Sequence, residues 1–161
     1  MQYEIREMKK EEWNVLKEFL YLSIFVPEGE LEFPRDILDK PEFQVYLENF
    51  GKKDDYALLA IADGKPVGAV WSRIMNDYGH IDDETPSLAI ALLKEYRGMG
   101  IGTALLNQLL QGLKAKGYRR VSLSAQKLNY AVNMYRKAGF EVEEDKGEEY
   151  IMVCDLENKS E

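Results

Sequence analysis

The amino-acid sequence predicts an α/β fold (α+β in some schemes) with a mixed central sheet of about six to seven strands, flanked by about four helices. Two apolar runs, residues 56–62 and 66–74, are joined by Asp63-Gly64, a dipeptide that favours a tight hairpin. Residues 87–93 are almost continuously apolar, as in a strand covered on both faces. A glycine-rich turn, an amphipathic helix and another strand follow. This order predicts a right-handed crossover, so the fourth and fifth strands should pair in parallel.

The first third of the chain predicts one strand and two helices. Residues 2–6 alternate enough to form the first strand. Apolar side chains at helical spacing predict a first helix that ends at Pro27 and Gly29. The side chains that carry this pattern are Trp13, Leu16, Phe19, Leu20 and Ile24. A second helix is predicted after Pro41, with Gly51 as its stop. Its apolar stripe consists of Phe43, Tyr46, Leu47 and Phe50.

The second half of the chain predicts two helices and four strands. After a polar loop at 76–86 and the strand at 87–93, a helix over 103–116 ends at Gly117. Its apolar stripe consists of Ile101, Leu105, Leu109 and Leu113. Residues 120–125 form the next strand, and a short helix at 129–138 stops at Gly139. The segments 140–144 and 150–156 form a closing antiparallel pair. We expect a single domain over residues 1–157 and a frayed tail at 158–161.

The composition excludes some classes of function. The formal net charge is 21 − 29 = −8, which disfavours nucleic-acid binding because phosphate contacts need clustered Lys and Arg. One cysteine, Cys154, allows no internal disulfide and favours a reducing compartment. The first residues lack the apolar core of a signal peptide, and no apolar run approaches the roughly 20 residues of a membrane span. We expect a soluble cytoplasmic protein that binds neither nucleic acid nor membranes.

The segment 97–103, R-G-M-G-I-G-T, is the most informative part of the sequence. Alternate glycines let the backbone approach a ligand closely and adopt positive φ angles. Amide groups at the start of a helix, together with the helix dipole and the charge of Arg97, favour an anion. Two other nucleotide-binding motifs are excluded. A dinucleotide fingerprint requires glycine at position 103, which is Thr103. A P-loop that begins at Gly98 also requires glycine at position 103, followed by lysine. A glycine-rich turn without a ligand is the alternative.

Two segments in this order resemble the GNAT superfamily of N-acetyltransferases. The family's first motif has Gln or Arg, then glycine three places on, then glycine or alanine two places further, matched by Arg97, Gly100 and Gly102. The later family motif is matched in residues 129–140, which read N-Y-A-V-N-M-Y-R-K-A-G-F. The positions that carry this match are Asn129, Tyr135, Lys137, Gly139 and Phe140.

The resemblance implies acetyl-CoA as co-substrate and an amine, on a small molecule or a peptide, as acceptor. It places the cofactor pyrophosphate on the turn formed by Arg97, Gly98, Met99, Gly100, Ile101, Gly102 and Thr103. Leu92 and Leu93 would pair with the pantetheine arm and supply the oxyanion N–H. Asn129 would hydrogen-bond the pantetheine, and Tyr135 would act as general acid at the thioester sulfur. A bulge in the fourth strand near residues 89–91, a splay of the strands there and a homodimer are also common among relatives.

The general base and the acceptor pocket are less well defined by the resemblance. Many relatives have a glutamate in the fourth strand where this chain has Ser87, so Glu84 is the nearest substitute, followed by Asp82, Asp83 and His80. A solvated acidic loop and a water-mediated base are the alternatives. The acceptor side would include Phe25, Tyr46, Trp71 and Arg73, with Val26, Pro27, Glu28, Phe33 and Tyr78 beside them. One histidine and one cysteine argue against a metal site.

The sequence therefore predicts a transferase that moves an acetyl or other acyl group from acetyl-CoA to a primary amine by direct attack. A non-catalytic acyl-CoA sensor of the same fold is the first alternative, because Ser87 replaces a carboxylate. An α/β domain without a cofactor is the second alternative.

Overall fold

The structure, a computed structural model, describes residues 2–157, so the predicted tail at 158–161 lies outside the described residues. This part of the chain forms one seven-stranded sheet in the order β1-β2-β3-β4-β5-β7-β6, which confirms the predicted fold. The strands are β1 (Tyr3–Glu7), β2 (Tyr56–Ala62), β3 (Lys65–Arg73), β4 (Ser87–Leu92), β5 (Arg120–Gln126), β6 (Phe140–Asp145) and β7 (Glu149–Asp155). The helices are α1 (Val15–Ser23), α2 (Pro41–Gln44), α3 (Ile101–Ala115) and α4 (Ala131–Ala138). No helix in this range has the length and apolar character needed to cross a membrane.

The hairpin between β2 and β3 follows from its two turn residues. Asp63 has φ 52° and Gly64 has φ 76°, and Ala62 pairs directly with Lys65. Two consecutive positive φ angles match the right-handed twist of the flanking strands, which is why Asp-Gly suits this turn. The predicted hairpin is confirmed.

The two faces of the sheet carry separate apolar cores. On one face α3 and α4 cover a core in which Leu105 and Leu109 are fully buried. On the other face α1 packs Leu16 and Phe19 against Trp71 of β3. Side chains alternate along each strand, so β4 sends Leu88 to the first core and its alanines to the second.

The predicted second helix is wrong in its length, since α2 contains only Pro41–Gln44. A continued helix would use the carbonyl of Val45 for the amide four residues later. Instead the buried guanidinium of Arg73 donates to Val45 O at 3.1 Å and to Glu48 O at 2.8 Å. Turn-type backbone bonds continue only as far as Glu48, where Asn49 adopts a positive φ of 53°, and Arg73 binds the carbonyls that are left without helical partners.

β4 has one closed edge and one open edge. Toward β3 it pairs in an unbroken antiparallel register from Arg73↔Ser87 to Gly68↔Leu92. Toward β5 the parallel ladder contains one pair, Ser87↔Ser122, after which the two strands separate. The expected splay is present, whereas the expected bulge near residues 89–91 is wrong, because the β3–β4 register shows no shift.

Candidate active site

The glycine-rich turn forms a cradle of free amide groups before α3. Gly98 and Gly100 have φ angles of 76° and 86°, and a Cβ at either position would meet no atom within 4 Å. Within residues 2–157, no described hydrogen bond has the N–H groups of residues 98–103 as donors; the helical ladder begins with Ala104 N–H donating to Gly100 O at 3.1 Å. These six donors lie at the positive end of a 15-residue helix. Gly98, Gly100, Gly102 and Thr103 line open space, whereas Ile101 is fully buried.

Arg97 contributes its side chain to the cradle but not its amide. Its N–H donates to Lys94 O at 3.2 Å, so the backbone donors begin one residue later than the sequence indicates. Its exposed guanidinium donates through Nε to Leu92 O at 3.2 Å. Arg97 lines the same cavity as the glycines of the turn and adds a full positive charge there.

Gly102 serves a different purpose from the other glycines of the turn. A Cβ there would lie 3.3 Å from Leu92 Cδ1 and 3.5 Å from Met134 Sδ. The missing side chain therefore lets the start of α3 approach both β4 and α4.

A cavity of about 810 Å³ runs from this cradle through the open edge of β4 to the α1 side of the sheet. Its walls come from three parts of the chain. The first is the cradle with Arg97 and Thr103, the second is the end of β4 from Ile90 to Leu92, and the third is the segment after α1 around Phe25. The start of α4 closes it with Asn129, Tyr130, Ala131, Met134 and Tyr135. The cavity thus joins the two faces of the sheet where β4 and β5 separate.

At the open edge of β4 the free N–H groups belong to Ile90 and Leu92, whereas the resemblance implied Leu92 and Leu93. Leu93 N–H donates to Val67 O at 2.9 Å, so it is not available to a ligand. Because donors alternate between the two edges of a strand, the N–H groups of Leu92 and Ile90 point away from β3 and toward the opening. Of the two expected residues, Leu92 therefore has its N–H group at the opening and Leu93 does not, and the N–H group of Ile90 also faces the opening.

Asn129, just before α4, and Tyr135, within it, both line the cavity. Asn129 Oδ1 accepts from Ala131 N at 2.9 Å and so caps the helix, which leaves the Nδ2 hydrogens for a ligand. Tyr135 is 8% exposed and packs edge-on against Phe140, with ring centroids 6.0 Å apart. Burial raises the pKa of Tyr135 to about 12, so its phenol stays protonated at neutral pH.

Glu84, the expected base, lies away from this cavity. It lines a separate cavity of about 480 Å³ with Arg119 and Arg120, before the start of β4. The cradle follows the other end of that six-residue strand, which at 3.3 Å per residue is about 20 Å away. Asp82 pairs with Arg120, and Asp83 lies 3.3 Å from His80. These residues stabilise the loop before β4, and the expectation for Glu84 is not supported by its position.

The expected acceptor residues separate into lining and structural ones. Phe25 lines the cavity together with Val26, Pro27, Glu28 and Phe33. Trp71 is fully buried in the core, and its Nε1 donates to Tyr46 O at 3.2 Å. Arg73 is 4% exposed and forms a buried ion pair with Asp55 at 3.0 Å. For Trp71 and Arg73 the expectation is wrong, because their side chains are used inside the fold.

Asp77 is a residue that the sequence did not reveal. Its carboxylate accepts from Ser87 Oγ at 2.7 Å and from the Tyr46 hydroxyl at 2.9 Å. Burial raises the pKa of Asp77 above its usual value, although both hydrogen bonds oppose the shift. The loop thus brings a carboxylate to the place where Ser87 replaces one. No local pattern predicts this contact, since Asp77 sits in a polar loop ten residues from Ser87.

Three comparisons relate the chain to known proteins. Residues 18–140 match the family model described as the acetyltransferase (GNAT) family. An N-alpha-acetyltransferase of Sulfurisphaera tokodaii is 30% identical over 107 residues, which is 61% of this chain and 64% of that protein. The ribosomal protein bS18-alanine N-acetyltransferase of Haemophilus influenzae is 40% identical over 58 residues, which is 36% of this chain and 40% of that protein. The matches thus span less than two thirds of the length of these two relatives.

Solved structures give the same assignment over nearly the whole chain. The PaiA N-acetyltransferase of Thermoplasma acidophilum, solved in complex with coenzyme A, superposes with a TM-score of 0.68 at 25% identity. The superposition covers 96% of this chain and 99% of that one. The family match extends over well more than half of the sequence, and it includes both the cradle and α4. The chain belongs to the acetyltransferase (GNAT) family.

Proposed function

We propose that this protein transfers an acetyl group from acetyl-CoA to a primary amine. The observation that carries the proposal is the cradle at residues 98–103, where six backbone amides have no described partner and four of the residues line one cavity together with Arg97. A diphosphate fits this donor set, because backbone N–H groups at a helix start and a nearby arginine are the groups that bind phosphate. The family match supports the same ligand.

The rest of the cofactor would lie along the open edge of β4. The N–H group of Leu92 can pair with the pantetheine arm as a neighbouring strand would, which leaves the N–H group of Ile90, farther from the cradle, for the thioester carbonyl. Asn129 Nδ2 stands on the opposite wall of the cavity as a further donor. This arrangement directs the thioester toward the point where β4 and β5 separate and the cavity passes from one face of the sheet to the other.

The thioester supplies an activated carbonyl that an amine nitrogen attacks directly. The N–H groups at the end of β4 can stabilise the charge that develops on the carbonyl oxygen. Tyr135 can donate a hydrogen bond to the leaving sulfur. A free thiol has a pKa near 8.5, and the pKa of Tyr135 is about 12. The phenol therefore stabilises the thiolate by a hydrogen bond and does not transfer its proton completely.

Two acceptor classes deserve the first tests. The two relatives above are named for α-amino acetylation and for an alanine of a ribosomal protein, which supports a peptide N-terminus. Glu28, Glu30 and Glu32 line the α1 end of the cavity, which supports a small polycationic amine as the second candidate. We extend the proposal to a cytoplasmic location, for which the single cysteine is the supporting observation.

The test is release of free CoA from acetyl-CoA with an alanine tetrapeptide or with spermidine, with the acetylated product identified by mass spectrometry. We expect release that requires protein and amine together. A melting shift with acetyl-CoA but no release with any amine favours the non-catalytic sensor. A ligand present at 100 times its Kd adds about 2.7 kcal/mol to the free energy of unfolding. If acetyl-CoA at such concentrations gives neither a melting shift nor CoA release, the proposed site is refuted.

A further inference from the structure

The β5 side of the opening carries a polar pair that the proposed chemistry has not used. Ser122 of β5 pairs with Ser87 at the last point where the strands meet. Two residues further along β5, Ser124 lies on the same face as Ser122 because side chains alternate. Ser124 therefore lies just past the point where the two strands separate, level with Ala89 and one residue before Ile90, the first β4 residue that lines the cavity.

Ser124 is hydrogen-bonded to a carboxylate from β7. Its Oγ donates to Glu149 Oε2 at 2.8 Å, and both side chains are half-buried. In the hydrogen bonds described for residues 2–157, the second oxygen of Glu149 has no donor. The pair is therefore a hydroxyl at the opening with a carboxylate behind it that can still accept a proton.

The loop after β3 forms the wall around this pair. Gly79 packs so tightly on β5 that a Cβ there would lie 2.9 Å from Ser124 N, and Ser122 Oγ donates to Gly79 O at 2.7 Å. The neighbouring Tyr78 is 50% exposed. The pKa of Tyr78 is raised mainly by burial, and the charges of Glu42 and Glu149 raise it further.

Tyr46 is a second tyrosine whose titration is influenced by the charge of Glu149. Burial, followed by the charge and hydrogen bond of Asp77, raises the pKa of Tyr46 well above its usual value, and Tyr78 and Glu149 add to the shift. Glu149 is thus near two protonated phenols. The described ion pairs include none with this carboxylate.

The other carboxylates near the sheet are less suited to accept a proton from the acceptor. Both oxygens of Asp77 already accept hydrogen bonds, from Ser87 and Tyr46. Glu84 lines the cavity at the far end of β4. Glu149 combines partial exposure, a free oxygen and a hydroxyl contact at the opening.

We propose that Glu149, acting through the Ser124 hydroxyl, accepts the proton that the acceptor amine must lose. The inference rests on the proposed acetyl transfer. The acceptor ammonium gives one proton to Ser124 Oγ while Ser124 gives its own proton to Glu149. The freed nitrogen lone pair forms the N–C bond at the thioester carbonyl, the C–S bond breaks, and the thiolate leaves with that electron pair. The second proton lost by nitrogen neutralises the thiolate.

The test compares Glu149→Gln and Ser124→Ala with the wild-type protein, using acetyl-CoA and an alanine tetrapeptide from pH 6.5 to 9.5. An α-amino group with a pKa near 7.8 is only about one twentieth unprotonated at pH 6.5 and almost fully unprotonated at pH 9.5. We expect kcat of Glu149→Gln to be about 20-fold below wild type at pH 6.5. The deficit should fall below threefold at pH 9.5, with the KM for acetyl-CoA unchanged. Ser124→Ala should show the same pH-dependent deficit.

The matched control is Glu148→Gln, which removes the same charge from the exposed neighbouring residue. It should match wild type within twofold at every pH. A Glu149→Gln deficit that is constant with pH, or no deficit at all, overturns the inference while wild-type turnover leaves the proposed function intact. If wild-type protein releases no CoA with either the tetrapeptide or spermidine, the proposed function fails and the inference fails with it.

Discussion

The two edges of β4 differ in how much of their hydrogen bonding the fold uses. The edge toward β3 is paired along its whole length, and the pairing continues to Leu93 N–H with Val67 O. The edge toward β5 is paired at Ser87 only, and beyond it lies the cavity. The difference shows that the site is formed by stopping a sheet ladder early, since backbone groups must bind something when they do not bind each other.

The two arginines near these edges differ in the same way. Arg73, on the closed edge, has its guanidinium buried against Asp55 and two backbone carbonyls. Arg97, at the open edge, is exposed and has one described contact, with Leu92 O. We expect the first arginine to determine stability and the second to determine affinity. The predictions below test this division, from the largest expected effect to the smallest.

Arg73→Met should cause the largest loss of stability. Removing the arginine leaves the buried Asp55 carboxylate without its cation and with only the N–H groups of Gly51 and Lys52 as donors, which costs about 3–5 kcal/mol of unfolding free energy. Urea denaturation measures it. Arg97→Met is the matched control and should change stability by less than about 0.5 kcal/mol, while weakening acetyl-CoA binding about tenfold, as expected for hydrogen bonds to a charged group. Equal stability losses in the two variants would contradict the division.

Gly100→Val should reduce acetyl-CoA affinity at least about 100-fold, measured by calorimetry. A β-branched side chain at φ 86° forces the turn to change and fills the space before the amides. Gly117→Val controls for backbone strain, since Gly117 has φ 95°, equally open surroundings and a place at the far end of α3. If both variants lose affinity to the same extent, strain rather than the cradle explains the loss.

Tyr135→Phe should lower kcat about 10- to 100-fold, because one hydrogen bond to the developing thiolate is lost. The KM for acetyl-CoA should stay nearly constant, since the ring packing against Phe140 is kept. Steady-state kinetics with both substrates varied separates the two quantities. Turnover equal to wild type would remove Tyr135 from the chemistry.

Asp77→Asn should have the smallest effect, a change in the free energy of unfolding on the order of 1 kcal/mol at neutral pH. The folded-state pKa of Asp77 is raised, so the folded protein binds this proton more tightly than the unfolded chain. The stabilisation from this group is present below its ordinary pKa and is lost as pH rises through the raised value. The stability of wild type relative to Asp77→Asn should therefore decrease from acidic to neutral pH in urea titrations. A difference that grows with pH would contradict the assigned direction.

The order of elements could be predicted from the sequence because it follows from local patterns. Asp63-Gly64 fixes the hairpin through its own backbone preferences, and the glycines at 98, 100 and 102 mark a strand-to-helix turn. The later motif at Asn129 and Tyr135 reaches the same cavity as the turn, as expected for two helices that follow neighbouring strands. These features lie within a few residues of each other, where spacing carries the information.

What only the tertiary structure decided concerns contacts between distant residues. Arg73 binds carbonyls in the segment after α2, and Val67 O accepts the N–H of Leu93. Asp77 and Glu149 reach β4 and β5 from segments that no local pattern links to them. A sequence determines which backbone groups exist and which conformations are easy to adopt. Which of those groups stay free for a ligand depends on the partners that packing supplies, because each donor bonds to the nearest acceptor that the folded chain provides.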